Sequence, residues 1–243
     1  MVHVYVNGGS GKMGSETLKA VQNDPELHLV GWGNRKDPLL ERLKETHPQV
    51  VVDFTHPSCV KENTVAILTQ GCSAVIGTTG LTASDLHDLD LLAKEKKQGV
   101  LVCPNFAIGA ILMMKYAAEA SKYMPRVEII EFHHDRKADA PSGTALKTAE
   151  LIYHANPHIN EHALDEQELI KGARGGSKHR IPIHSVRLPG YVAHQEVIFG
   201  GLGQTFTLRH DTISRESFMP GVVLCIKKVQ SIQGLIYGME NVL

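Results

Sequence analysis

Val2-His3-Val4-Tyr5-Val6-Asn7-Gly8-Gly9-Ser10-Gly11-Lys12-Met13-Gly14 opens the chain, and its reading decides the fold. The run from Val2 to Val6 is β-branched and aromatic, the composition of a buried first strand. Thr17, Leu18, Ala20 and Val21 follow with the spacing of an amphipathic helix. Between them, Gly8, Gly11 and Gly14 form a G-x-x-G-x-x-G series. Glycine there permits a tight turn, close approach of backbone to a pyrophosphate, and close packing of helix on strand. Strand, glycine turn and helix in that order predict the start of a dinucleotide-binding βαβ unit.

The second strand bears on which dinucleotide. Leu27-His28-Leu29-Val30-Gly31-Trp32-Gly33 runs into Asn34-Arg35-Lys36-Asp37. A site selective for NAD commonly holds the adenine ribose with an acidic side chain at this strand end. Here neutral and then basic residues come first, with Asp37 further on. Arg35 and Lys36 suit the additional phosphate of NADPH, so NADPH is the expected cofactor, with NADH use open. Two solvated surface cations would look the same in sequence.

Strand and helix patterns then alternate. Val50–Phe54, Ala74–Gly77 and Val100–Val102 read as strands, with helices over Val60–Thr69 and after Ala83. Such alternation predicts a parallel, doubly wound sheet, with ligands outside the carboxyl ends of its strands. Gly77-Thr78-Thr79 and Cys103-Pro104-Asn105-Phe106 fall at those ends. After residue 105 the character changes. A helix at Ile111–Ser121 and a strand at Val127–His133 precede strand-like runs at Gln195–Phe199 and Thr205–His210, with few helices between. The expected class is α/β, an N-terminal Rossmann-like domain over 1–105 followed by an α+β domain over 106–213. The second domain is built on a mixed or antiparallel sheet. A helix read at Ser217–Ile232, within 214–243, is expected to return to the first domain.

Composition narrows the function classes. The chain has 243 residues, a net charge of −1, and four scattered cysteines, Cys59, Cys72, Cys103 and Cys225. It offers no general basic surface for nucleic acid or anionic membrane, no apolar run of membrane-spanning length, and no disulfide framework. A soluble, cytoplasmic protein is expected.

The chemistry concentrates in Glu131-Phe132-His133-His134-Asp135-Arg136-Lys137-Ala138-Asp139-Ala140-Pro141-Ser142-Gly143-Thr144. Asp139 and Ser142 are good helix caps, and Pro141 is acceptable in a first helical turn. The N–H groups of Ser142, Gly143 and Thr144 are then expected to point out of the helix start, where a carboxylate or phosphate is favoured. Lys137 adds a full positive charge for the same anion. The histidines could instead be a polar strand end. A metal site is not expected, because adjacent residues on a strand face opposite ways and no clustered ligands accompany them.

Taken together, Gly8–Gly14, Gly77-Thr78-Thr79-Gly80, Pro104-Asn105-Phe106-Ala107-Ile108-Gly109 and the His133-to-Thr144 segment resemble the dihydrodipicolinate reductase family. Ser185-Val186-Arg187-Leu188-Pro189-Gly190 and His194-Gln195-Glu196-Val197 fit as well. The resemblance spans the whole chain. It implies an NAD(P)H-dependent reductase of 4-hydroxy-tetrahydrodipicolinate in the diaminopimelate route to lysine, usually a homotetramer, whose C-terminal domain serves substrate binding and oligomerisation. It implies His133 as proton donor or acceptor, with Lys137 as its partner acid. His134, Gly143 and Thr144, with Ser142 at the same helix start, are implied to bind the substrate carboxylates. Gly8, Gly9, Ser10, Gly11, Lys12, Met13, Gly77, Thr78, Thr79, Cys103, Pro104, Asn105 and Phe106 are implied to line the cofactor. The acidic residue the family often carries at the second strand end is replaced here by Arg35. Glu131, Arg174 and Arg187 are left without a role. Two other classes fit the architecture: another NAD(P)H-dependent imine or amino-acid reductase, or a non-enzymatic NADPH sensor. The sensor would have no need of His133 and Lys137.

Overall fold

A computed structural model of the chain describes residues 1–34, 36–161 and 167–243. The elements in chain order are β1 (Val2–Asn7), α1 (Lys12–Asn23), β2 (Leu27–Gly33), α2 (Leu39–Thr46), β3 (Val50–Asp53), α3 (Val60–Thr69), β4 (Ser73–Ile76), α4 (Ala83–Lys96), β5 (Gly99–Val102) and α5 (Ile108–Ala120). They continue with β6 (Arg126–His133), α6 (Gly143–Ala155), β7 (Gly176–Lys178), β8 (Ile181–Arg187), β9 (Ala193–Gly201), β10 (Gln204–Thr212), α7 (Met219–Val229) and β11 (Gly234–Tyr237). Short 3-10 turns at Arg215–Phe218 and Met239–Asn241 flank the last two.

Two compact units emerge: Met1–Ile108 with Arg215–Leu243, and Gly109–Ser214. The first is built on a six-stranded sheet of order β11-β5-β4-β3-β1-β2, parallel throughout. Its central strands are buried on both faces, which is why Val50-Val51-Val52 and Ala74-Val75-Ile76 are unbroken apolar runs instead of alternating ones. Tyr5, Leu43, Ile67, Leu68, Leu89 and Val100 belong to its core. Burying each large apolar side chain contributes on the order of 1.5–3 kcal/mol. The order reverses between β1 and β3, so the crevice for a ligand opens at the carboxyl ends of those two strands.

The second unit holds a mixed five-stranded sheet of order β10-β9-β6-β8-β7. β10, β9 and β6 pair antiparallel, β6 and β8 pair parallel, and β7 closes antiparallel on β8. β6 alternates strictly: Val127, Ile129 and Glu131 are buried, while Glu128, Ile130 and Phe132 are half-buried on the opposite face. The parallel sheet of the first unit and the mixed sheet of the second are as the pattern of strands and helices indicated.

Several elements went unread in the sequence: α2, β7, β8 and β11. The helix expected at Ser217–Ile232 is shorter, Met219–Val229, with the 3-10 turn taking its first residues. No helix among the described residues is long and apolar enough to cross a membrane.

Candidate active site

Two clusters carry the residues singled out by sequence, one in each unit. In the first, β1 ends at Asn7 and the chain turns through Gly8, which has φ +90°. A β-carbon on Gly8 would collide with the Phe54 carbonyl, and one on Gly9 would lie 2.7 Å from the Trp32 ring. The turn therefore sits against both neighbouring strand ends, and only glycine permits it. Its own N–H groups are engaged: Gly8 and Gly9 donate to the Gly33 carbonyl at 2.7 and 3.0 Å, Gly11 to Gly8 at 3.0 Å, and Ser10 to Asn34 Oδ1 at 3.0 Å. What the glycines offer a ligand is close approach of backbone. The donors lie one step later. Helix α1 starts at Lys12 with no side-chain cap and no acidic residue in its first turn. An uncapped helix start carrying an ammonium fits the pyrophosphate of a dinucleotide.

The neighbouring turns are locked together beneath it by Asp53. This buried carboxylate accepts from Asn7 Nδ2 (2.9 Å), Asn63 Nδ2 (2.9 Å), the Thr55 amide (3.1 Å) and hydroxyl (2.7 Å), and Thr78 Oγ1 (2.7 Å). Phe54 packs edge-on against Phe106, and a β-carbon on Gly77 would strike the Phe54 ring. Gly8, Gly77, Thr78 and Phe106 are thereby brought to one edge of the sheet. Thr78 uses its hydroxyl on Asp53, and Thr79 beside it is exposed. Asn105 turns its Oδ1 back to the Ala107 N–H at 2.9 Å, and Pro104 is exposed. The Cys103 thiol faces inward, 3.8 Å from Cys225 Sγ, and its hydrogen bond with Cys225 together with burial pushes its pKa far up. Only its backbone can reach a ligand.

At the end of β2, Arg35 lies outside the described residues. Lys36 is exposed. Asp37, read as lying beyond the strand end, folds back to it and accepts the Asn34 N–H at 2.7 Å. An acid and a base thus both stand near this strand end, a mixture that sequence order did not convey.

The second cluster grows from the end of β6. Residues two apart on a strand share a face, so Glu131 and His133 point the same way, and the Glu131 carboxylate is hydrogen-bonded to His133 Nδ1. Glu131 is completely buried. Arg187 reaches it from β8 with two bonds of 2.7 and 2.9 Å, and the Ser142 N–H adds a third donor at 3.2 Å. Burial acts to raise the Glu131 pKa. Hydrogen bonds from His133, Arg187 and Ser185 outweigh it and hold the carboxyl at about 2. Arg187 also donates to the Asp139 carbonyl at 2.8 Å, tying the following loop to the sheet.

That loop leads into α6, whose cap is Ser142. Its Oγ accepts from the Ala145 N–H at 3.2 Å. Pro141 precedes the cap instead of entering the first turn, because Ser142 takes the cap position. The expectation of three outward N–H groups is also corrected. Ser142 gives its N–H to Glu131, which leaves those of Gly143 and Thr144 without an acceptor among the described residues. Nothing lies within 4 Å of where a Gly143 β-carbon would stand. Lys137 is on the same loop, and both Asp139 oxygens lie 2.8 Å from its Nζ. This ammonium holds the Asp139 carboxyl below its usual value. His134 is exposed and accepts the Lys137 N–H on its carbonyl at 3.1 Å.

Of the three residues left without a role, Glu131 and Arg187 belong here. Arg174 does not: it pairs with Glu128 on the other face of β6, beside His184. Among the described residues, no group of three or more histidine, cysteine or acidic side chains is placed to hold a metal ion.

These arrangements have close counterparts. Residues 2–106 match the family described as dihydrodipicolinate reductase, N-terminus, and residues 109–243 match dihydrodipicolinate reductase, C-terminus. The 4-hydroxy-tetrahydrodipicolinate reductase of Syntrophomonas wolfei subsp. wolfei is 50% identical, with 99% of this chain and 98% of the relative covered. That of Streptococcus gordonii is also 50% identical, with 100% and 99% covered. A solved structure described as dipicolinate-bound dihydrodipicolinate reductase from Paenisporosarcina sp. TG-14 superposes with a TM-score of 0.93 at 45% identity, over 100% of both chains. An amine dehydrogenase from Mycobacterium smegmatis, at 14% identity and a TM-score of 0.64 over 98% of this chain and 95% of its own, shares the fold alone. Matched in both halves and over its full length, the chain belongs to the dihydrodipicolinate reductase family.

Proposed function

We propose that the protein reduces 4-hydroxy-tetrahydrodipicolinate to tetrahydrodipicolinate with NAD(P)H, the reductase step of the diaminopimelate route to lysine. The observation that carries this reading is a histidine held by a buried carboxylate, beside a helix start with two open N–H groups and a lysine. A small ring bearing two carboxylates matches that set of donors. Its relatives are named for this reaction, and one is described as dipicolinate-bound.

Each residue of the second cluster then has a task. The Gly143 and Thr144 N–H groups receive one substrate carboxylate, favoured by the dipole of α6. Lys137 and His134 supply charge and a donor for the dianion, so that orientation and neutralisation are achieved together. Ser142 acts as the cap that keeps the helix start open. When bound, the reduced nicotinamide supplies a hydride. Loss of the ring hydroxyl as water gives a conjugated acceptor. Addition of hydride to it leaves enamine-like electron density on the ring, and His133 delivers the proton, assisted by Lys137. Imidazole suits that step because its ordinary pKa lies near neutrality.

In the first cluster, Lys12 and Met13 at the start of α1 hold the pyrophosphate, with Gly8, Gly9, Ser10 and Gly11 beneath it. Gly77, Thr78, Thr79 and the Cys103–Phe106 turn support the nicotinamide side. NADPH is the preferred cofactor, because Lys36, with Arg35, suits a 2′-phosphate while Asp37 already accepts the Asn34 N–H. The active form is a homotetramer assembled through the second unit. The face of its sheet opposite α6 presents half-buried Ile130, Phe132 and Ile198 among charged side chains, a surface that suits a second copy.

The test is oxidation of NADPH and of NADH by the purified protein, with substrate generated in situ from pyruvate and aspartate semialdehyde by the preceding synthase. Turnover that depends on the synthase, is faster with NADPH, and is inhibited by pyridine-2,6-dicarboxylate is expected. Tight NADPH binding with no turnover would overturn the assignment.

A further inference from the structure

Among the described residues of the second unit, Glu131 is the one charged side chain that is fully buried. It sits on the central strand β6, in register with Ser185 on β8 and Gln195 on β9, and its side chain is 0% exposed. Beside the Ser185 side chain, both carboxylate oxygens are held from two directions. Oε2 meets His133 Nδ1 and Arg187 Nη1, and Oε1 meets Arg187 Nη2 and the Ser142 N–H. Both Arg187 Nη atoms are engaged, by Glu131 and by the carbonyls of Val186 and Asp139, while the buried Nε has no partner among the described residues.

We infer that Glu131 is the positioning residue of the proton-transfer site, fixing His133 with its proton on Nδ1 and leaving Nε2 as the atom that exchanges a proton with substrate. The inference rests on the proposed reductase reading for its kinetic consequence, but not for the tautomer. An ionised carboxylate accepts and cannot donate. A neutral imidazole against it must therefore carry its hydrogen on Nδ1, and Nε2 has no partner among the described residues. The proton given to substrate is the second one, taken up on Nε2 to form the imidazolium, and its transfer returns the ring to the Nδ1–H form. Arg187 keeps the carboxylate ionised and prevents it from turning away. Through the Asp139 carbonyl and the Ser142 N–H, the same pair holds both ends of the segment that enters α6. One buried glutamate thus sets the ring orientation of His133 and the position of the anion-binding helix start.

Two measurements test this. In protein labelled with 15N at histidine, the His133 signals, identified by their loss in His133→Gln, should show the Nδ1–H tautomer above the titration of the ring. A neutral His133 with its proton on Nε2 in the wild type would overturn the inference, whatever any variant does. In Glu131→Gln the amide can donate into Nδ1 and shift the proton to Nε2. Here kcat should fall by about 10²-fold or more, the range of general acid–base contributions, while KM changes by less than about threefold, as for loss of an interaction made only in the transition state. Glu131→Asp should recover part of kcat. Unchanged kcat in Glu131→Gln, or a loss confined to KM, would leave Glu131 a structural clasp and sink the positioning role. Should Glu131→Gln not fold, the wild-type tautomer and Glu131→Asp still decide. If the wild type itself does not turn over, the reductase reading fails while the tautomer result still stands or falls by itself.

Discussion

Lys137 meets its ligand already paired, and the pairing is asymmetric. Its side chain is 21% exposed, whereas that of Asp139 is 63% exposed. An exposed carboxylate gains little from such a pair, about 0–1 kcal/mol, so an incoming dianion can displace it at small cost. Lys137→Ala should therefore lower kcat and raise KM for the dicarboxylate, by about tenfold or more for loss of a charge-assisted bond of ~1.5–3 kcal/mol. Asp139→Asn should leave KM unchanged or lower. His133→Gln should instead reduce kcat by about 10²–10⁴-fold with a modest change in KM. Steady-state kinetics of the three variants separates the roles, and a KM effect alone in His133→Gln would remove it from proton transfer. The histidines, Lys137 and the helix cap were legible because they lie within fourteen consecutive residues. Glu131 was visible beside them, but its function depends on Arg187, 56 positions away on another strand. Sequence shows the i, i+2 spacing of Glu131 and His133 and says nothing of which strand is their neighbour.

At the scale of elements, two helix starts carry the proposed binding, and their glycines answer to different constraints. A β-carbon on Gly14 would collide with the Gly8 carbonyl and lie 2.9 Å from Gly9 Cα. Alanine there gains up to ~1 kcal/mol of helix propensity. That gain is outweighed by about 1–3 kcal/mol of overpacking, because α1 must move off the turn. Gly143 stands in open space, so alanine there disturbs no protein contact. Gly14→Ala should weaken NADPH binding by about tenfold, the equivalent of ~1.4 kcal/mol, as measured by calorimetry. Gly143→Ala should keep nucleotide affinity and thermal stability while raising KM for the dicarboxylate, because its methyl group occupies ligand space. Unaltered KM would place the substrate carboxylate elsewhere. The long periodic elements were legible: β2 and α3 were read to the residue. The others failed for identifiable reasons. β11 is the last strand and has only four residues, and its parallel pairing with β5 defines it. β8 contains Pro182, which argues against a strand in sequence, and tolerates it here beside the short β7. Asp37 lies four residues beyond the end of β2 in sequence, yet its carboxylate returns to the Asn34 N–H, a contact that chain order does not show.

For the whole molecule, the buried carboxylate of the second unit has a consequence for acid stability. Glu131 is held at about 2 in the folded protein, against an ordinary glutamate value of 4.5. A carboxyl whose folded pKa is depressed contributes stability that is fully present above the unfolded value. That contribution is lost as pH falls from about 4.5 toward 2, because the unfolded chain takes up the proton first. Glu131→Gln has no such proton to bind and leaves the half-buried Arg187 charge without its carboxylate partner. At pH 7 it should therefore be less stable, by about 3–5 kcal/mol for a buried pair broken on one side. Below pH 4.5 the wild type should lose stability more steeply than the variant, so that the two curves approach each other near pH 2. Glu128, Asp139 and Asp211 are also held below their usual values, so both proteins decline in acid, and the difference between them isolates Glu131. Urea midpoints from pH 7 to pH 3, followed by a probe in the second unit, measure that difference. Parallel curves over this range would mean that Glu131 titrates alike in the folded and unfolded states. In that case the Arg187 and His133 contacts would not hold it ionised in solution.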